Sequence, residues 1–197
     1  MVRYLAPIVI ALMLLVAPIA AGAQTTSEMI AADLDAWWAA YFADNGLSYS
    51  SPRIEFVTAP NTEFCGPIDA YYTPAGYCAP NRTIFVSTGF ADPESLAWLP
   101  VISHEWGHHI QNLIDTGARS PIESELQADC FAGAFVRFAQ DSDFVSPVVS
   151  ALALQLTQSA GDVWWLDPDQ PDIHGSMAER ASAFTAGLNG GVDACWL

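Results

Sequence analysis

The run His104-Glu105-Trp106-Gly107-His108 limits what this chain can fold into more than any other feature. It has the form H-E-x-x-H, a helical metal-site signature. Side chains at i and i+4 leave a helix on one face, so both imidazoles can reach a single ion at about 2.0–2.1 Å. Glu105 follows the first histidine by one residue, where its carboxylate can meet a water on that ion rather than the ion itself. The plain alternative is a surface helix with two exposed histidines. A fold that uses the run must bring a further ligand across to this helix, because a catalytic zinc site takes three protein ligands and keeps one position open.

The chain has 4 His in 197 residues, so few histidines are available as the third ligand. His109 is adjacent to His108 and points about 100° away around the helix, off the shared face. His174 lies far downstream. The better candidate is Glu125, at the head of Glu125-Leu126-Gln127-Ala128-Asp129, which begins after sixteen intervening residues. A second helix running back along the first would set Glu125 opposite the two histidines. Glu123 competes with it but falls at a helix cap. Asp129 sits one turn beyond Glu125 on the same face. There it is expected to accept the outer N–H of His104 or His108, fixing tautomer and ring direction. The bland reading of Glu125 and Asp129 is a solvated helix face.

Local signals around these segments predict mostly helix. Thr26 or Ser27 caps a helix to about Ala43, with Ile30, Leu34, Trp37, Trp38 and Tyr41 on a broad apolar face, and Asn45-Gly46 ends it. Pro52 to Val57 and Thr83 to Thr88 read as short strands. Pro100 opens or kinks the helix that carries the histidines, and Gly117 closes it. Ser120-Pro121-Ile122-Glu123 forms a capping box for a helix to about Phe138. Further helices are expected over Ser146 to Ala160 and Ser176 to Leu188, separated by a polar loop. The fold class is therefore α+β, mainly α, with a small sheet preceding the H-E-x-x-H helix.

The N-terminus reads as an export signal. Arg3 precedes an apolar stretch from Tyr4 to Ala20, and Ala21-Gly22-Ala23 supplies an A-x-A cleavage site. Residues 1–23 are expected to be removed as a signal peptide, leaving residues 24–197 as one domain. The alternative is an uncleaved anchor, and membrane association is expected only in that case. Four cysteines in an exported chain imply two disulfides with three possible connectivities. Cys65 with Cys78 and Cys130 with Cys195 is the pairing expected. A net charge of −16, with no lysine among the six basic residues, leaves nothing to form a basic patch. Nucleic acid and anionic membrane are thereby poor partners.

Longer segments resemble the neutral zinc metallopeptidases of bacteria. Matching stretches run from Val101 through the double histidine to Gln111-Asn112-Leu113, and from Glu125-Leu126-Gln127-Ala128-Asp129-Cys130 to Gly133. His174-Gly175-Ser176 with Glu179-Arg180 matches a C-terminal motif, while Cys65, Tyr77-Cys78-Ala79-Pro80 and Ile84-Phe85-Val86 match an upstream one. The resemblance implies a zincin-like fold, one zinc per chain on His104, His108 and a glutamate, and hydrolysis of a peptide or protein substrate. Zinc would activate a water, with Glu105 as its general base. His174 is then the candidate donor to the developing oxyanion, against the reading of a loop histidine or helix cap. Tyr71, Tyr72 and Tyr77 are weaker candidates for the same role. The strand from Thr83 to Thr88 is expected to offer its edge to an extended peptide. Arg180 and Glu179 either pair near the site or line a solvated helix face. Two other functions compete: a non-catalytic scaffold stabilised by zinc, and a zinc hydrolase of another amide such as a cell-wall cross-link. The setting expected is secreted, periplasmic or cell-envelope.

Overall fold

A computed structural model describes residues 24–58, 62–63, 65, 67–68, 73–118, 120–162 and 173–196. The expected signal peptide therefore lies outside the described residues, as do Tyr71 and Tyr72. Five helices carry the fold: α1 (Thr26–Asp44), α2 (Trp98–Leu113), α3 (Pro121–Asp141), α4 (Pro147–Ser159) and α5 (Met177–Gly190). Between α1 and α2 come β1 (Arg53–Val57), the two-residue strands β2 (Thr62–Glu63) and β3 (Pro67–Ile68), then β4 (Ala75–Cys78) and β5 (Thr83–Ser87). The architecture is α+β, mainly helical, with the small sheet before the H-E-x-x-H helix, in keeping with a zincin-like fold.

Several boundaries move for local reasons. Thr25, not Thr26 or Ser27, caps α1, in a reciprocal capping box with Glu28. Thr26 instead donates its hydroxyl to Glu94 at 2.9 Å, and Ser27 is buried. Pro100 opens α2 without a kink, because it is the third residue of a helix that starts at Trp98. First-turn N–H groups have no partner within the helix, so a missing one costs nothing there. Gly117 does not close α2. Leu113 is its last residue and Ile114 is already extended, leaving Gly117 to turn the following loop at φ 92°. Ser120 caps α3 by accepting the Glu123 N–H, with Pro121 at the first helical position.

The sheet order is β1-β5-β4, with β5 parallel to β1 and antiparallel to β4. All five residues of β5 are buried. The expectation that Thr83 to Thr88 offers a free edge is thus overturned, because partners occupy both sides of that strand. Among the described residues, the outer strand on the α2 side is β4.

The core lies where α1 crosses α2 and α3. Ile30, Leu34, Trp38 and Phe42 of α1 meet Leu99, Ile102 and Trp106 of α2, together with Phe131 and Phe135 of α3. Each buried aromatic removes on the order of 150–250 Å² from water. Helix α5 lies close against α3, where a Cβ on Gly187 would overlap the Cys130 carbonyl. Disulfides join Cys65 to Cys78 and Cys130 to Cys195. The second ties α3 to the short turn at the C-terminal end.

Candidate metal centre

Helix α2 presents His104 and His108 on one face, as their spacing requires, and α3 brings Glu125 against them. The His104 and His108 Nε2 atoms are 3.2 Å apart. Glu125 Oε2 is 3.2 Å from the first and Oε1 is 3.2 Å from the second. Donors around a tetrahedral ion at about 2.0–2.1 Å stand about 3.3 Å apart, close to the spacing of the two nitrogens and of each carboxylate oxygen from its nearer one. Among the described residues these three form the one group able to hold a metal in this way. Exposed Glu123 is not in it.

The approach of the two helices depends on Gly107. A Cβ there would lie 2.7 Å from the Ala128 Cα, so α2 can reach α3 at this level only without a side chain. Ala128 precedes Asp129 and follows Glu125 by three residues, which makes this contact the spacer of the whole centre. Gly107→Ala is expected to cost about 1–3 kcal/mol in urea unfolding. It should also weaken zinc binding measured against a competing chelator, by moving Glu125 off the histidines. Unchanged affinity would show that the spacing is not set here.

Both histidines have their outer nitrogens engaged. His104 Nδ1 donates to Asp129 Oδ1 at 2.8 Å, and His108 Nδ1 donates to Gln111 Oε1 at 2.9 Å. Those bonds leave both Nε2 atoms aimed at the shared point. Asp129 is fully buried and is gripped by Arg180 of α5, through Nε to Oδ2 and Nη2 to Oδ1, each at 2.7 Å. Gln111 is held by the Ser124 hydroxyl at 2.8 Å and donates to Gln127 Oε1 at 3.0 Å. Gln127 in turn donates to the carbonyls of Thr116 and Cys195. Arg180 is therefore no solvated residue, and Glu179 serves the capping box of α5 with Ser176.

Electrostatics at the centre favour a cation. Burial opposes charge on His104, but Asp129 and Glu125 raise its pKa to about 10. Burial would raise the pKa of Glu125, yet the imidazoles of His104 and His108 beside it hold it well below the usual carboxylate range. Glu125 Oε2 is buried and makes no hydrogen bond. Two imidazole nitrogens and an orphaned carboxylate oxygen, converging in this way, fit a divalent zinc ion. Binding one would displace the proton that the pair of carboxylates keeps on His104.

The other candidates are spread around this core. Glu105 opens onto a cavity of about 480 Å³ that is also lined by His104, Asp129, His174 and Arg180. His174 reaches it from the loop before α5. Its backbone N–H and that of Gly175 both donate to Asp162 Oδ2, and its Nδ1 is 3.5 Å from Asp162 Oδ1. Buried His109 points elsewhere. It donates from Nε2 to the Ser50 carbonyl at 2.8 Å and receives the Tyr77 hydroxyl at Nδ1, 3.1 Å away. Burial lowers its pKa, which keeps the ring neutral. Tyr77 is thereby committed to His109 and Asn112 rather than to the cavity.

Sequence reasoning passed over Gln111, Gln127 and Asp162. Gln111 had one available signal, its i+3 spacing from His108. The Asp162 bonds join residues 12 and 13 positions apart and carry no local signature.

A family model described as "Putative neutral zinc metallopeptidase" matches residues 19–195. The uncharacterized protein YpfJ of Escherichia coli (strain K12) is 28% identical over 198 residues, which cover 86% of this chain and 68% of that protein. The uncharacterized protein Rv2575 of Mycobacterium tuberculosis is 26% identical over 185 residues, covering 73% and 60% respectively. No solved structure matches the chain.

Proposed function

We propose that this chain, which belongs to the putative neutral zinc metallopeptidase family, is a working zinc peptidase that hydrolyses peptide bonds in an exported setting. The observation that carries the reading is the convergence of His104, His108 and Glu125 at 3.2 Å, with Glu105 opening onto the adjoining cavity. Zinc, when bound there, supplies a Lewis acid for a carbonyl oxygen and lowers the pKa of a water toward about 7.

The chain's own groups do the rest. Glu105 accepts the proton of the attacking water and later delivers it to the departing amine. His174 donates to the carbonyl oxygen as negative charge develops, with Asp162 holding the loop that carries it. Asp129, fixed by Arg180, and Gln111 keep the two imidazoles in the metal-binding tautomer. An extended substrate would add to β4 rather than β5, because Pro74 and Ala75 line the cavity and β4 is an outer strand among the described residues. Two disulfides support an oxidising, exported compartment. No described helix is long and apolar enough to cross a membrane.

Elemental analysis beside a peptide-digestion assay tests this reading. The purified chain should hold about one zinc, His108→Ala should lose it, and cleavage should vanish with the metal. Full zinc retention in His108→Ala would remove that residue from the centre. A zinc-replete chain that cleaves cell-wall amides but no peptide would reassign the substrate class.

A further inference from the structure

The cavity beside Glu105 also has an apolar wall, distinct in chemistry from the metal centre. Pro100 and Val101 of α2, Leu156 of α4, Ala160 just after it, Phe90 and Pro74 form that wall. Phe90 is 50% exposed and Leu156 is 40% exposed, so two large apolar side chains stand in water next to the site. Phe90 rests edge-on against buried Trp98, with ring centroids 6.5 Å apart, which gives it a fixed seat. Apart from the groups at the metal centre and His174, every described residue lining the cavity is uncharged.

We propose that this wall is a specificity pocket for a large apolar substrate side chain (Leu, Ile, Met or Phe) on a residue flanking the scissile bond. The inference rests on the peptidase reading and deepens it. Three observations carry it. The pocket is continuous with His104 and Glu105, so whatever fills it sits next to the reacting carbonyl. At about 480 Å³ the whole cavity falls in the range of small-ligand sites, with room for one side chain and its adjoining backbone. Against Phe90 and Leu156 a charged side chain would lose water without a partner on either residue, whereas an apolar one would cover them both.

Two measurements test it. The first digests an unbiased peptide library and compares cleavage sites between the native chain, Leu156→Asp and Phe90→Ser. A large apolar residue should dominate one flanking position, favoured about tenfold or more over glycine or a charged residue. Both variants should lose that preference with zinc content unchanged. The second measurement needs no turnover. Hydroxamates that carry a leucine side chain on either side of the zinc-binding group are titrated into the zinc-loaded chain, each beside its unsubstituted counterpart. One leucine compound should bind about tenfold tighter than its counterpart, and the gain should disappear in Leu156→Asp or Phe90→Ser. Equal affinities in both pairs, or cleavage indifferent to both flanking residues, would overturn the pocket. Leucine selectivity in the hydroxamates without any peptide cleavage would keep the pocket and overturn the peptidase reading alone.

Discussion

Glu105→Gln is expected to lower peptide hydrolysis by about 10²–10⁴-fold while zinc content stays at the native level. The two halves of this outcome come from different parts of the structure. Glu105 is outside the converging group of His104, His108 and Glu125, so its replacement leaves all three donors in place. It does open onto the cavity that His104 also lines, so it faces the same space as any water on the metal. Glutamine keeps the size and the hydrogen-bonding reach but cannot take a proton. Rates at matched zinc content measure the effect, and equal rates would rule Glu105 out as the base. Loss of zinc from the variant would place Glu105 among the ligands instead.

Arg180→Met is expected to give the largest stability loss, about 3–5 kcal/mol in urea unfolding of the zinc-free chain. Arg180 is 5% exposed and Asp129 0%, and two bonds at 2.7 Å join them. Removing the guanidinium leaves a buried carboxylate whose remaining side-chain partner is His104. A double variant, Arg180→Met with Asp129→Leu, separates the structural role from the metal-tuning one. Removing both charges should restore much of the stability, because a neutral, well-filled pair needs no compensation. Zinc affinity should stay about 10–100-fold weakened, because His104 then has no acceptor to fix its ring. Recovery of both properties together would mean that Asp129 does not tune the metal centre.

Legibility of the site followed distance along the chain. His104 and His108 were legible because helix geometry alone puts i and i+4 on one face. Glu125 was legible one step further out, since a short turn between two helices leaves few ways to face them. Arg180 was named without a settled role, because its partner Asp129 is 51 residues away and joins it only through the packing of α5 on α3. The edge strand was misread for a related reason. Apolar alternation around Ile84 and Val86 marks a strand but does not say how many neighbours it has, and β5 has two.

What this chain determines from sequence alone is what local geometry and residue chemistry can decide. That covers a helix bearing two imidazoles and a carboxylate, a capped helix carrying Glu125 and Asp129, and a mainly helical fold around buried aromatics. Tertiary structure alone decided which histidine Asp129 steadies, that Gln111 steadies the other, that Arg180 closes the network, and that β4 lies outermost beside the cavity among the described residues. The reason is physical. Capping, periodicity and turn preferences act over a few residues and are written in order along the chain. A buried ion pair or the outer strand of a sheet exists only once distant segments meet, at distances set by contacts such as Gly107 against Ala128 that no local pattern announces.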